Sequence, residues 1–385
     1  MLKKWRTFTL LFAVFLGLVV WLVNHDSSKQ AGKLTTKQDL SKIVPIDEAE
    51  KNPFTGSIYS ASDQNLRLRL LGELELLKQV HGEPEGQRVI RNMFAWMEEI
   101  PSEDVTAAVV AVLNTGEDAF AFGRFSPDKD GFLKSYPTFR TALLDLLEQL
   151  DPVQAVEVGK VLLNTSENAD EWALSLRTLA RHAVSMDDRA FLQSKVQTLL
   201  HKDAWLDEPS FSYLHAFDAA VADGQSMTIE RLGELMSAPP NRAVGHAAII
   251  SLDRFFQQHA FVSANYVVEH PEFLATATGF RASLMARVNP VEQAETATAE
   301  MYLAAEEFTV EEKRTFFESY PNFNSTYSYN LITGSLLLSR PEMKKRSLAA
   351  LRQLESWLDE GSFPEFDGDI NNAVNRLTRI WKLDQ

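Results

Sequence analysis

Asp151-Pro152-Val153-Gln154-Ala155-Val156-Glu157-Val158-Gly159-Lys160-Val161-Leu162-Leu163-Asn164-Thr165-Ser166-Glu167-Asn168-Ala169 decides the fold class. It opens with a capping carboxylate, a proline at the first helical position and a glutamine at the third, a helix start. One helix length later, Asn168 with Glu171 marks another start. Asn289-Pro290-Val291-Glu292 repeats the first signal, and Ser185 with Asp188 is a third kind of start. Gly116, after Asn114-Thr115, fits a helix stop.

The rhythm between these signals is helical from Ser62 onward. Leu66, Leu70, Leu74 and Leu77 share one face, and Arg69 and Glu73 pair four apart on another. Leu348, Leu351, Leu354 and Leu358 form a stripe near the C-terminus. Ile370, Ala373, Val374, Leu377, Ile380 and Trp381 form the last one. Strand signals are scarce. The expected body, residues 61–385, is all-α, with roughly a dozen helices of about 12–18 residues. Such stripes bury themselves helix on helix, in an irregular helical bundle or a stack of helix pairs. Val112-Leu113-Asn114-Thr115-Gly116-Glu117-Asp118-Ala119 echoes residues 162–169. That spacing, about one helix pair, points to an α-solenoid-like array and is near the roughly 40–47 residues of HEAT and armadillo stacks. The likeness is architectural only. Ser135-Tyr136-Pro137-Thr138-Phe139 against Ser319-Tyr320-Pro321-Asn322-Phe323 reads as a recurrent boundary signal.

The chain has 385 residues, 45% apolar and 24% charged, enough to bury a core. Its net charge is −15, although residues 1–24 hold Lys3, Lys4 and Arg6 and no acid. So negative a body repels phosphate backbones, and nucleic acid is excluded as a partner. There is no cysteine, which removes disulfides, thiolate metal sites and cysteine nucleophiles.

Trp5 to Val23 is apolar but for Arg6 and two threonines, and as a helix measures about 28 Å. That nearly matches a bilayer core of about 30 Å, with Trp5 and Trp21 at the interfaces. No small-residue cleavage site follows Leu22-Val23-Asn24-His25-Asp26, so the expectation is a retained signal-anchor within residues 1–24 rather than a removed leader. The basic N-terminal flank places that end in the cytoplasm and the body outside it, periplasmic in a Gram-negative cell. Residues 25–60, polar and holding Pro45, Pro53 and Gly56, read as a flexible tether spanning about 33 Å.

Chemistry is hard to find. His25, His81, His182, His201, His215, His246, His259 and His270 show no His-Glu-x-x-His spacing. No nucleophile elbow and no phosphate-cradling glycine loop is present. Asp128-Lys129-Asp130-Gly131 looks like part of a calcium loop, but the first and twelfth ligand positions are Ser126 and Pro137. The pairs Glu103-Asp104, Asp187-Asp188 and Glu311-Glu312 sit where helix first turns favour acids. No catalytic residue, metal or cofactor is assigned. Asn164-Thr165-Ser166 and Asn324-Ser325-Thr326 are sequons, relevant only in a eukaryotic secretory pathway.

The most distinctive stretch is an aromatic loop at 117–139, holding Phe120, Phe122, Phe125, Phe132 and Tyr136. Ala119-Phe120-Ala121-Phe122 alternates, as in a short hairpin. A second aromatic run spans Phe316, Phe317, Tyr320, Phe323, Tyr327 and Tyr329. Aromatics more often fill cores than anchor interfaces, yet a long loop inside an array is often functional. Phe120, Phe122, Phe125, Phe132 and Tyr136 are therefore the candidate partner-binding residues. The expectation is a membrane-anchored binding or scaffold protein of the cell envelope, with a protein partner there. The runner-up is a tethered extracytoplasmic hydrolase whose carboxylates gather from several helices.

Overall fold

In the computed structural model residues 61–324, 328–333 and 338–381 are described. Eighteen α-helices account for most of them. In chain order they are α1 (Ala61–Lys78), α2 (Glu83–Met97), α3 (Ser102–Leu113), α4 (Phe139–Leu150), α5 (Pro152–Thr165) and α6 (Ala169–His182). Then come α7 (Met186–Leu200), α8 (Asp203–Asp207), α9 (Phe211–Ala216), α10 (Asp218–Asp223), α11 (Ser226–Ser237) and α12 (Arg242–Gln258). The last are α13 (Ala260–Glu269), α14 (Thr278–Met285), α15 (Gln293–Ala304), α16 (Val310–Ser319), α17 (Arg340–Glu360) and α18 (Asp367–Trp381). The fold is all-α; β pairing among the described residues is confined to two isolated bridges, Phe120 with Thr138 and Pro127 with Leu133.

The capping chemistry works as read. Asp151 accepts from Val153 N and Gln154 N, Asn168 from Asp170 N and Glu171 N, and Ser185 from Asp188 N. Asn289 does not start a helix. Its side chain closes a turn onto Val291 N while the Glu295 carboxylate takes Asn289 N, and α15 begins at Gln293. Helices outnumber the expected dozen, in part because residues 203–223 break into three short pieces. Pro209, which cannot donate, ends the first of these.

The stripes bury nearly as expected. Leu70, Leu74 and Leu77 of α1 are in the core, but Arg69 lies over the Trp96 ring and Glu73 accepts from Trp96 Nε1 rather than pairing with each other. In α17 the buried face is Ser347, Ala350, Leu354 and Trp357, turned slightly from the leucine stripe. In α18 Ile370, Ala373 and Leu377 are buried, whereas Ile380 is exposed near the helix end.

Among the described residues, substantial helix–helix packing joins elements no more than four places apart in chain order, such as α1 on α3, α5 on α6 and α16 on α18. One hydrophobic core nonetheless runs from Leu70 to Leu377. The echoed segments both follow the end of one helix and lead to the next, α3 to α4 and α5 to α6, but the first carries a longer connection, residues 114–138. Asp118 still accepts from Arg140 N in the first turn of α4, as Asn168 does at the start of α6.

Among the described residues no helix is long and apolar enough to cross a membrane. The expected anchor, residues 5–23, and the tether, residues 25–60, lie outside the described residues.

Candidate functional site: an aromatic loop held by buried arginines

Between α3 and α4 the chain leaves the helical array and returns through main-chain pairings. Ala121 N donates to Pro137 O at 2.8 Å and Gly123 N to Tyr136 O at 2.9 Å. Gln87 of α2 clamps the two limbs from beneath. Its Nε2 donates to Ala121 O and Tyr136 O, each at 2.8 Å, and its Oε1 accepts from Tyr136 N at 3.0 Å. Gly86 permits this approach, because a Cβ there would overlap the Ala121 carbonyl.

The five aromatic residues divide by role. Phe125 is 5% exposed and packs 5.8 Å from the His215 ring, so it is core rather than contact surface. Phe132 lies 4.9 Å from the Arg177 guanidinium and 5.1 Å from that of Arg181. Tyr136 meets Phe94 edge-on, and its hydroxyl donates to Asp145 at 3.3 Å. Burial and the Asp145 charge push the Tyr136 hydroxyl pKa well up. Only Phe120 and Phe122 turn outward, 55% and 40% exposed, with ring centroids 6.0 Å apart. Phe122 holds φ at +61°, the left-handed region that bulky side chains avoid. Such backbone costs about 1–3 kcal/mol and persists where surrounding structure imposes it.

Beneath the loop lies a buried ion cluster. Arg177 of α6 is fully buried; it donates to Glu148 Oε2 at 2.8 Å, Asp145 Oδ1 at 2.6 Å and the Gly131 carbonyl at 2.8 Å. Thr178, Arg181 and His182 also surround Glu148. Burial alone would raise the Glu148 pKa, but the Arg177 charge, the Thr178 hydroxyl and Arg181 outweigh it and hold the group below its usual range. Gly131, at φ +82°, passes so close to Leu331 that a Cβ would overlap its carbonyl.

The same pairing recurs along the array. Arg140 meets Glu171, Arg254 meets Asp218, Arg281 meets Glu312 and Arg287 meets Asp253. Each arginine also holds main-chain carbonyls, those of Leu113, of Tyr329 and Ser328, of Phe273, and of Asn324 respectively. Buried ions survive only when paired and hydrogen-bonded, and these are both.

The second aromatic run also divides. Phe316, Phe317 and Tyr320 are core. Tyr329, at φ +52°, meets the rings of Phe211, His215 and His246; Tyr327 lies outside the described residues. His215 is nearly buried, and desolvation, reinforced by the Arg254 charge, lowers its pKa to about 4. It is a neutral ring at physiological pH.

Asp128 is spent on its own turn, accepting from Asp130 N at 2.8 Å and Phe132 N at 3.1 Å. The acid pairs all lie in helix first turns. Glu312 and Asp188 also form ion pairs, with Arg281 and Lys160.

The arginine–carboxylate pairs went unread in the sequence. Their signal was a charge on an apolar stripe, as Arg177 among Ala173, Leu176 and Ala180. Comparison with known protein families, with curated proteins and with solved structures finds no match to this chain.

Proposed function

We propose that this is a membrane-anchored binding or scaffold protein of the cell envelope, whose helical array presents Phe120 and Phe122 to a protein partner. The observation that carries the reading is two neighbouring phenylalanines facing solvent from a backbone that is pinned, and at Phe122 strained, to hold them there. Aromatic anchors on a pre-organised support lose little entropy on binding. The neighbour-to-neighbour packing supports stacking of the α-solenoid kind, which offers long contact surfaces. The apolar residues 5–23 supply the anchor in this reading, with the N-terminus cytoplasmic and the body extracytoplasmic, separated by the tether 25–60.

A hydrolase would need carboxylates free to meet substrate. Asp145, Glu148, Asp218 and Glu312 are at most 2% exposed and each is engaged by arginine. Glu148 also meets His182 Nε2 at 3.3 Å, but Arg177, Thr178 and Arg181 already engage it.

The test is capture of partners from solubilised membranes with the full chain and with Phe120→Ser/Phe122→Ser. The expected result is a partner recovered in near-equal amount with the wild type and reduced about tenfold or more by the double variant, as when paired hot-spot aromatics are lost. Both rings are exposed, so melting should be unchanged. Equal recovery by both proteins contradicts the reading.

A further inference from the structure

α1 is apolar on two sides. One side packs on α3 and α2, and its Leu70, Leu74 and Leu77 are buried. On the other side Leu68 is 66% exposed and Leu76 51%, with exposed Gly72 midway between them. Positions four apart form one ridge on a helix, and Leu68 and Leu76 lie about 6 Å to either side of Gly72 along the axis. An ordinary surface helix is polar toward solvent, whereas one apolar all round is a covered helix.

Gly72 tells what the cover does there. Glycine inside a helix is destabilising relative to alanine. A Cβ at this position would meet nothing within 4 Å among the described residues beyond its own stretch of helix. No described neighbour therefore calls for glycine. What the missing Cβ offers is close approach from outside.

We propose that the ridge Leu68, Gly72 and Leu76 is a contact between two copies of this chain, their α1 helices antiparallel and crossing at Gly72. Two features select a second copy. The ridge is its own complement, because reversed about Gly72 it reads the same, as a twofold interface requires. The charges also change sign across Gly72. Residues 64–71 hold Arg67 and Arg69 and no acid. Residues 73–80 hold Glu73, Glu75 and Lys78, and Lys78 is already paired with Glu75 and Glu117. Antiparallel packing sets the basic half of each helix beside the acidic half of the other. Parallel packing would set arginines beside arginines. This proposal is independent of the aromatic-loop reading and uses different residues.

So small a contact is weak by itself, and its test is a covalent trap. The chain has no cysteine, so each introduced thiol stands alone. Helices packed about 8–10 Å apart bring facing Cα atoms within reach of a disulfide. The full chain in detergent, under mild oxidation, should form linked dimers with Gly72→Cys about tenfold or more faster than with Leu68→Cys, Leu76→Cys or Val184→Cys. Val184, 85% exposed and outside α1, is the collision control. An equal mixture of the Leu68→Cys and Leu76→Cys chains should also link, since antiparallel packing sets those two positions at one height. Adding Leu68→Asp/Leu76→Asp to Gly72→Cys should bring the rate down to that of Val184→Cys, with melting unchanged because both leucines are exposed. Association through residues 5–23 would not single out position 72 over 68. Three results overturn the proposal. Gly72→Cys may link no faster than Val184→Cys, as it would with another protein or the chain's own tether on this face. Leu68→Cys alone may link as fast as Gly72→Cys, the parallel pattern. Or the aspartate pair leaves the Gly72→Cys rate unchanged.

Discussion

Asp118 and Asn168 stand at matching places in the two echoed segments, and each offers a side-chain oxygen to the first turn of the following helix. They differ by a charge. Burial pushes the Asp118 carboxyl to about 6, against the opposing pull of Arg140 N, the Thr138 hydroxyl and Ala119 N. Unfolded aspartate titrates near 3.9. Between those values the folded state retains a proton that the unfolded state has lost, so stability falls as pH rises through this window. Above about 6 the cost is present in full; below about 4 it is absent. Asp118→Asn keeps the acceptor and removes the charge. It should stabilise by about 1–2 kcal/mol at pH 7.5, with the advantage gone at pH 3.5. Thermal melts at the two pH values check this, and an unchanged difference between them would contradict it.

The helices were legible where their cause is local. A cap at Asp151, Asn168 or Ser185 acts within three residues of its own position, so the sequence carries it openly. The aromatic loop was legible as an interruption, but the roles of its five aromatics were not. Exposure depends on which neighbours arrive: Phe125 meets His215 from α9, whereas Phe120 and Phe122 meet each other. Phe125→Ala should therefore destabilise by about 3–5 kcal/mol as a buried ring lost. Phe120→Ala should shift stability by less than about 0.5 kcal/mol. Urea unfolding of the two variants checks the contrast, and similar losses in both would contradict the assignment of Phe120 to the surface.

Across the whole molecule, the contacts that went unread are those between residues far apart in sequence. Arg181 reaches Leu331 across 150 residues and Asp218 reaches Thr333 across 115. No periodicity announces such a partner; only a charge on an apolar face hints that one exists. The anchor lies outside the described residues and is read from its apolar sequence. Alkaline carbonate washing should leave the full chain in the membrane pellet, while a chain released with a new N-terminus beyond Val23 would contradict anchoring.

The helices are tied together by buried arginines, each engaging a carboxylate from a neighbouring helix. Four of these, Arg140, Arg177, Arg281 and Arg287, donate through Nε. Nitrogen-15 NMR of the arginine Nε–H groups tests this directly, because exposed guanidinium protons exchange rapidly with water at neutral pH and buried, bonded ones do not. The prediction is slowly exchanging Nε–H signals for these four residues, each lost when its own arginine is changed to lysine. Rapid exchange at all four would contradict the account.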